Sequence, residues 1–255
     1  MLVRNMTFIL SMVAFLGQGC TGMKSDGPAT GFIRKTMDLD GETRGYVVYV
    51  PDGYTPGREW PLIVFLHGAG ERGDEGWSQT AVGIGKPMRW HPERFPCVVL
   101  MPQCPKNSGW ARRPAREGRE ARQGSGTHID LALKKTLAQY NIDEDRITLT
   151  GLSMGGYGTW SYGAQHADTF AALMPICGGG SVEDADKLSK IPIWAFHGDA
   201  DRVVPVERSR VMVEAVKQAG GDIKYTEYPG VGHNSWEQAY DDPESIAWLL
   251  EQKRD

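Results

Sequence analysis

The sequence predicts an α/β fold in which helices cover both faces of a mostly parallel β-sheet. Short, continuous apolar runs recur along the chain, as at residues 61–66 and 97–101, and strands buried on both faces have this composition. Segments of helical length with an apolar face alternate with these runs, as at residues 128–140. Such alternation is typical of α/β proteins, whose functional residues lie at the carboxyl ends of the strands.

The other elements are predicted from the same patterns. Residues 32–39 and 46–51 form antiparallel strands at one edge of the sheet, because Asp40-Gly41 between them suits a tight hairpin turn. Asp242 at the N-cap and Pro243 at the first helical position indicate the start of a last helix. The remaining predicted elements are strands at 147–150, 171–176, 191–196 and 224–228 and helices over 154–165 and 206–219.

Composition and charge limit the classes of function. The chain has 255 residues, 40% of them hydrophobic and 24% charged, which fits one α/β domain over residues 31–255. Its 28 basic and 32 acidic side chains give a net charge of −4. This charge offers no general attraction for nucleic acid or acidic membranes, so neither is an expected partner.

The N-terminal residues resemble an export signal. Arg4 precedes an apolar run over residues 6–16, which has the length of a signal peptide core, so residues 1–20 are predicted to be removed. Gly-Gln-Gly before Cys20 resembles a lipobox, although its first glycine stands where a large aliphatic residue is usual. A lipid anchor at Cys20 and a cleaved, secreted form both fit, and a cytosolic protein with a buried N-terminal strand is the remaining alternative. Residues 21–30 are small and polar, as in a flexible tether.

Cys97, Cys104 and Cys177 remain after the signal segment, and an odd number of cysteines cannot all pair. Each lies in or beside a predicted strand, where a buried free thiol is the more common state, although export would permit a disulfide. The chain has neither a C-x-x-C pair nor a Cys/His cluster with metal-ligand spacing. We therefore predict no metal and no other cofactor.

The pattern Gly151-Leu152-Ser153-Met154-Gly155 lies between a predicted strand and a predicted helix, as in a nucleophile elbow. The serine of such a turn takes a strained backbone conformation, and glycines on both sides remove Cβ atoms that would clash. Its Oγ is then exposed at the N-terminus of the helix. A glycine-rich turn without a catalytic role is the alternative interpretation.

Two later motifs, FHGDADRVVP and GVGHNSW, supply partners for Ser153. His233 in the second motif is the predicted base, because an imidazole can accept the serine proton near neutral pH. Asp201 in the first motif is the predicted acid that orients the imidazole, whereas Asp199 is the better candidate for bonding turn amides. The order serine, acid, histidine along the chain is that of an α/β-hydrolase triad.

An acyl-transfer site also needs donors for the oxyanion. The backbone N–H of Met154, at the N-terminus of the elbow helix, is one predicted donor. The second is expected from the glycine-rich loop after strand 61–66, where Ala69 is the first choice and Gly70 the alternative. His67 and His197, at the ends of two strands, are predicted to be packed structural histidines.

The motifs LHGAGERG, PQCP, RITLTGLSMGGYGTW, PICGGG, HGDADRVVP and GHNSW occur in this order over residues 66–236. Together they resemble the phospholipase/carboxylesterase and dienelactone hydrolase-like group of α/β-hydrolases, with similarity over residues 46–248. The resemblance implies an α/β-hydrolase fold and a serine esterase that needs no metal.

The same resemblance bears on the substrate. Dienelactone hydrolases proper use a cysteine nucleophile, whereas this chain has Ser153. Acyl-protein thioesterases typically carry glutamine after the serine, whereas this chain has Met154. The exported relatives with a G-x-S-M-G pattern include feruloyl and acetylxylan esterases, so the resemblance implies feruloyl or acetyl esters on plant polysaccharide.

Two segments are expected to shape the substrate cleft. Only thirteen residues separate Cys177 from Ile191, too few for a helical cap, so the site is predicted to be open. The long loop over residues 106–126 carries five arginines and two glutamates, which form either a solvated surface or a rim for anionic substrates. Trp110 and Trp236 are the predicted aromatic walls for a sugar or phenolic group, with core packing as the alternative for each.

Two other classes of function remain open from the sequence. A noncatalytic surface lipoprotein could use the fold to bind a ligand, although it would not need three catalytic residue types in triad order. A peptidase acting on short peptides is the enzymatic alternative, because the domain resembles the catalytic domain of prolyl oligopeptidases.

Overall fold

A computed structural model describes residues 28–111 and 124–254, and these contain a single eight-stranded sheet. Its strands lie in the order β1-β2-β4-β3-β5-β6-β7-β8. The β1–β2 and β2–β4 pairs are antiparallel, and every other pair is parallel. The strands are β1 (Gly31–Leu39), β2 (Glu42–Val50), β3 (Trp60–Leu66), β4 (Val98–Pro102), β5 (Ile142–Leu152), β6 (Ala172–Ile176), β7 (Ile193–Gly198) and β8 (Ile223–Tyr228).

Seven α-helices surround the sheet in the described residues. They are α1 (Gly85–Trp90), α2 (Gly126–Leu137), α3 (Met154–Gln165), α4 (Ala185–Leu188), α5 (Glu207–Gln218), α6 (Trp236–Asp241) and α7 (Pro243–Glu251). Residues of α2, α3, α4 and α5 join the hydrophobic core on one face of the sheet, and residues of α1, α6 and α7 join the core on the other. The predicted α/β fold with helices on both faces and an antiparallel N-terminal edge is therefore confirmed.

The hairpin at the sheet edge forms as its sequence predicts. Asp40 and Gly41 have φ angles of 56° and 77°, and this left-handed backbone matches the right-handed twist of the two strands that it joins. Residues 42–45 extend the second strand beyond its predicted start, because they complete the antiparallel ladder with β1.

Several boundaries differ from the sequence prediction. β5 begins at Ile142 instead of residue 147, because Ile142 pairs with Trp60 before a register shift in the ladder. β7 begins at Ile193, two residues later than predicted, since the N–H of Ile191 bonds to Leu188 at the end of α4. The short helices α1, α4 and α6 were not predicted, because each spans fewer than two turns and shows no clear periodicity.

The N-terminal segment predicted as a signal and most of the predicted tether lie outside the described residues. Within the described ranges, no helix has both the length and the apolar composition needed to cross a lipid bilayer.

The last helix tests the capping prediction. The carboxylate of Asp242 accepts a hydrogen bond from the N–H of Glu244 at 2.9 Å, and Pro243 follows at the first helical position. We expect Asp242→Ala to lower the free energy of unfolding by about 1 kcal/mol, measured by urea denaturation. The matched control is Asp241→Ala, which removes an exposed neighbouring carboxylate at the end of α6. An equal loss in both variants would contradict the capping role.

Candidate active site

Ser153 occupies the sharp turn between β5 and α3. Its backbone angles, φ 51° and ψ −113°, lie in a region that side-chain-bearing residues rarely adopt. Its own N–H donates to the carbonyl of Ile176 in the neighbouring strand β6 at 3.0 Å. The sheet thus holds the strained turn in place, and the conformation is that of a nucleophile elbow.

The glycines on either side of Ser153 are also required because a side chain there would clash with neighbouring backbone atoms. A Cβ on Gly155 would lie 1.8 Å from the carbonyl oxygen of Leu66, at the end of β3. A Cβ on Gly151 would lie 2.6 Å from the carbonyl oxygen of Gly155. Because both obstacles are backbone atoms, no side chain fits at either position without moving the helix away from the sheet.

The structure brings together the three residues that the sequence motifs single out. The Nε2 atom of His233 lies 2.9 Å from the Oγ atom of Ser153, and its Nδ1 atom lies 2.7 Å from Oδ2 of Asp201. Asp201 is in the loop after β7, and His233 is in the loop between β8 and α6. This arrangement can pass a proton from the serine hydroxyl to an imidazole that a carboxylate orients.

The Asp201 carboxylate is buried, with no exposed side-chain surface. Its Oδ1 atom accepts hydrogen bonds from the N–H groups of Val203 and Val204, at 2.8 and 2.9 Å. Burial opposes ionisation, but the bonds from His233 and from these two N–H groups outweigh it, so the pKa of Asp201 lies below its usual value. The carboxylate is therefore negatively charged at neutral pH.

Asp199, the alternative acid, has a different place. It is exposed, and its carboxylate accepts the N–H of Gly230 at 2.6 Å. Asp199 therefore ties the loop that follows β7 to the loop that follows β8. The second of these loops carries His233, so this bond at the protein surface helps to position the imidazole.

His67 supports the loop that follows β3. It is completely buried, and its Nδ1 atom lies 2.6 Å from the carbonyl of Gly68 while Nε2 accepts the N–H of Cys104 at 2.9 Å. Burial lowers the pKa of His67 to about 4, so the ring is neutral, with a proton on Nδ1. His67 is thus a structural histidine that joins the ends of β3 and β4.

The two predicted oxyanion donors each lie at the start of a helical turn. Met154 is the first residue of α3, and Ala69 is the first residue of a 3₁₀ turn over Ala69–Glu71. N–H groups at such positions have no partner within their own helix. Gly68 packs against the elbow, since a Cβ there would lie 2.9 Å from the Leu152 side chain. Gly70, the alternative donor, is the second residue of the same turn.

Glu71 is the last residue of this turn and is partly buried. Burial raises the pKa of its carboxyl, while hydrogen bonds from the N–H groups of Glu71 and Gly68 act in the opposite direction. Sequence reasoning did not single out Glu71, because a charged residue in a glycine-rich loop usually indicates a solvated surface.

The two predicted aromatic walls have different environments. Trp110 is only 2% exposed, and its indole N–H donates to the carbonyl of His67 at 2.9 Å. The prediction that Trp110 lines the substrate cleft is therefore wrong for this structure, because the ring is packed in the core. Trp236 is partly exposed, and its ring meets the His233 ring edge to face, with centroids 5.3 Å apart. Trp236 thus lies beside the triad.

The segment between β6 and β7 contains only a 3₁₀ turn at Val182–Asp184 and the single-turn helix α4, so it forms no cap over the site. The charged part of the loop over residues 106–126, with its five arginines and two glutamates, lies outside the described residues.

The three cysteines of the described chain are free and buried, as predicted. Cys177 lies beneath the triad, where one ligand atom each of Cys177, Asp201 and His233 fall within 4.8 Å of one another. Asp201 and His233 already share a hydrogen bond, and burial raises the pKa of the Cys177 thiol to about 12.

Comparison with known proteins gives a consistent group of relatives. The family model for the dienelactone hydrolase family matches residues 40–245. Acyl-protein thioesterase 1 of Gibberella zeae is 25% identical over 208 residues, which cover 72% of this chain and 88% of that protein. A bifunctional acetylxylan esterase/xylanase of Neocallimastix patriciarum is 32% identical over 169 residues, covering 64% of this chain and 22% of that protein.

Among solved structures, a thermostable esterase superposes with a TM-score of 0.77 and 41% sequence identity. The match covers 88% of this chain and 63% of the esterase, so this chain spans less than two thirds of that protein. These relatives identify the chain as a serine hydrolase with an α/β-hydrolase fold.

The burial of the thiols predicts resistance to alkylation. We expect iodoacetamide at pH 8 to leave the hydrolysis of p-nitrophenyl acetate unchanged, because burial raises the thiol pKa of Cys97, Cys104 and Cys177 and excludes the reagent. Mass spectrometry after unfolding in guanidinium chloride should then find all three thiols reactive. Activity lost in step with labelling of native Cys177 would contradict this prediction.

Proposed function

This chain belongs to the dienelactone hydrolase family, and from that premise we propose an exported serine carboxylesterase that forms an acyl-enzyme at Ser153. The observation that carries the proposal is the continuous set of contacts from Asp201 to His233 to the hydroxyl of Ser153, on a strained elbow. Cys177 is not the nucleophile in this proposal, because the Cys177 thiol is buried and burial raises the pKa of that thiol.

In the acylation step, Ser153 Oγ attacks the ester carbonyl while His233 Nε2 accepts the hydroxyl proton. Asp201 keeps the imidazole in the tautomer whose Nε2 is free to accept, and its negative charge stabilises the imidazolium that forms. The N–H groups of Met154 and Ala69 donate to the oxyanion, and the helix dipole of α3 adds to their field.

Collapse of the tetrahedral intermediate breaks the bond to the leaving alcohol. His233 returns its proton to that alcohol and then accepts a proton from water, which attacks the acyl-enzyme. The released products are the carboxylic acid and the alcohol, and Ser153 regains its hydroxyl proton. The proton transfers use Asp201, His233 and Ser153, which already lie within hydrogen-bond distance, so no rearrangement of the triad is required.

We expect Ser153→Ala to lower kcat on p-nitrophenyl acetate by a factor on the order of 10⁴ or more and to abolish labelling by a fluorophosphonate probe. The matched control is Ser161→Ala, which removes a hydroxyl from the same helix and should keep full activity. Turnover retained by folded Ser153→Ala would reject the proposed nucleophile.

For the substrate, we propose feruloyl or acetyl esters on plant polysaccharide. The short segment between β6 and β7 supports this, because an uncapped site can accept an ester on a large alcohol. The partly exposed Trp236 beside His233 supports an aromatic or sugar surface at the acyl or alcohol position.

Trp236 offers a test of this assignment. We expect Trp236→Ala to raise KM for methyl ferulate about fivefold or more, with a smaller change for p-nitrophenyl acetate, because only the larger acyl group reaches the indole. Trp236→Phe should keep most of the affinity for ferulate. Equal changes for both esters would show that Trp236 acts only through packing against His233.

A thioesterase is the second candidate, favoured by the similarity to acyl-protein thioesterase 1 over most of that protein. Comparing kcat/KM for methyl ferulate, acetylated xylan and an S-palmitoylated peptide would separate the two. A clear preference for the palmitoyl thioester would overturn the polysaccharide assignment while leaving the serine mechanism intact.

The domain layout and export are part of the same proposal: a signal over residues 1–20, a tether over residues 21–30 and a catalytic domain over residues 31–255. We propose that the protein is exported, with Cys20 as a possible site of lipid anchoring. Metabolic labelling with a palmitate analogue, followed by cell fractionation, tests this. A label that Cys20→Ala removes supports the anchor, whereas unlabelled protein in the medium supports the secreted form. Unprocessed cytosolic protein would reject export.

A further inference from the structure

The Asp201 carboxylate accepts three hydrogen bonds, and a second histidine lies close to it. Oδ1 accepts the N–H groups of Val203 and Val204, and Oδ2 accepts Nδ1–H of His233. The Nε2 atom of His197 lies 3.2 Å from the same Oδ2. The side chains of His197 and Asp201 are both fully buried, so water does not compete for this contact.

The surroundings of His197 determine which ring nitrogen carries a hydrogen toward Asp201. Nε2 lies 3.0 Å from the carbonyl oxygen of Val204 and 3.2 Å from the carboxylate oxygen of Asp201. Both atoms only accept hydrogen bonds, so a bare Nε2 lone pair would face two negative oxygens in a buried site. Nε2 therefore carries a hydrogen, which bonds to the Val204 carbonyl and lies beside Oδ2 of Asp201.

The other side of the ring is held equally firmly. Nδ1 of His197 lies 2.7 Å from the hydroxyl of Ser209 on α5, and that hydroxyl lies 3.1 Å from the carbonyl of Gly178, just after β6. Gly178 packs against Gly156 in the first turn of α3, where a Cβ on Gly178 would lie 2.5 Å from the Gly156 carbonyl carbon. His197 thus links the acid loop to the helix that carries the nucleophile elbow.

We propose that His197 is a positioning residue for the reaction, which fixes the Asp201 carboxylate and moderates how strongly it holds the His233 imidazolium. This inference rests on the proposed triad. With Nε2–H in place, Oδ2 faces a second N–H beside that of His233, and part of its negative charge is balanced there. Without it, Oδ2 has only His233 as a partner, and the carboxylate directs more of its charge toward that imidazolium.

The inference predicts a change in the pH profile as well as in the rate. An Oδ2 that loses one donor holds the His233 imidazolium more strongly, so the acidic limb of kcat/KM moves to higher pH. Asp201 and His233 are the titratable groups on that side of His197, with Cys177 beneath them. On strand β8, Glu227 lies opposite His197 in the ladder, but its carboxylate is paired with Arg210 at 2.6 Å.

Two substitutions distinguish the roles of the two ring nitrogens of His197. The amide nitrogen of asparagine corresponds in reach to Nδ1, so His197→Asn keeps a partner for Ser209 and loses the donor to Asp201. The amide nitrogen of glutamine corresponds to Nε2, so His197→Gln keeps that donor. The matched control is His128→Asn, which removes a buried imidazole whose nitrogens make no hydrogen bond in the described structure.

We expect His197→Asn to lower kcat about tenfold or more with little change in KM, and to shift the acidic limb upward by about half a pH unit. His197→Gln should recover kcat to within about threefold of the wild type, with the limb restored. His128→Asn should change neither. The proposal would be overturned if folded His197→Asn kept both the kcat and the acidic limb of the wild type. It would also be overturned if both His197 variants lost kcat equally while the acidic limb stayed in place.

If His197→Asn does not fold, the proposal can still be tested by a measurement on the unaltered protein. Nitrogen-15 NMR of histidine-labelled protein should show a protonated Nε2 on His197, and a bare Nε2 would overturn the proposal. Failure here is distinct from failure of the proposed function, because a wild type that hydrolyses esters through Ser153 leaves the triad intact even if His197 proves to have no effect.

Discussion

The close approach of α3 to the end of β3 is the constraint on which the site depends. Gly155 lies so near the carbonyl oxygen of Leu66 that no Cβ fits between them. The first turn of the helix can therefore sit directly over the sheet, with Ser153 in its strained conformation and the N–H of Met154 without a partner inside the helix. The same contact brings the loop after β3 beside the elbow, so the positions of the nucleophile and of this loop both depend on one glycine.

The groups beneath the site are rigid and almost fully hydrogen-bonded, whereas the groups above it are partly open. His67 bonds to the loop that follows β3, and backbone amides hold Asp201. In contrast, His233 and Trp236 retain some exposure. Because buried polar groups lose most when one partner is removed, the catalytic machinery tolerates little change, and differences in substrate must come from the exposed side.

The sequence predicts most of the fold and the triad because these depend on local patterns. Apolar runs, the Asp40-Gly41 turn and the cap at Asp242 each involve neighbouring residues, so they can be recognised without knowledge of tertiary contacts. Strand ends were predicted less well, as at Ile142, whose pairing with Trp60 depends on a residue more than eighty positions away. The error at Trp110 has the same cause, since an indole suits a cleft wall and a core equally well until its neighbours are known.

The histidines show where sequence reasoning reaches its limit. His67 and His197 both follow a buried strand, and both were predicted to be packed structural residues, yet their partners differ in kind. His67 bonds to neutral backbone groups and lies 4.0 Å from the Glu71 carboxylate, too far for a hydrogen bond, and its role is to hold two strand ends together. His197 meets the buried carboxylate of Asp201, a group whose charge the reaction uses. A residue can thus be as buried as any core side chain and still lie against a charged group, where electrostatic contacts are stronger than those to a neutral group. The distinction lies in the identity of one acceptor atom, which burial and strand position alone do not reveal.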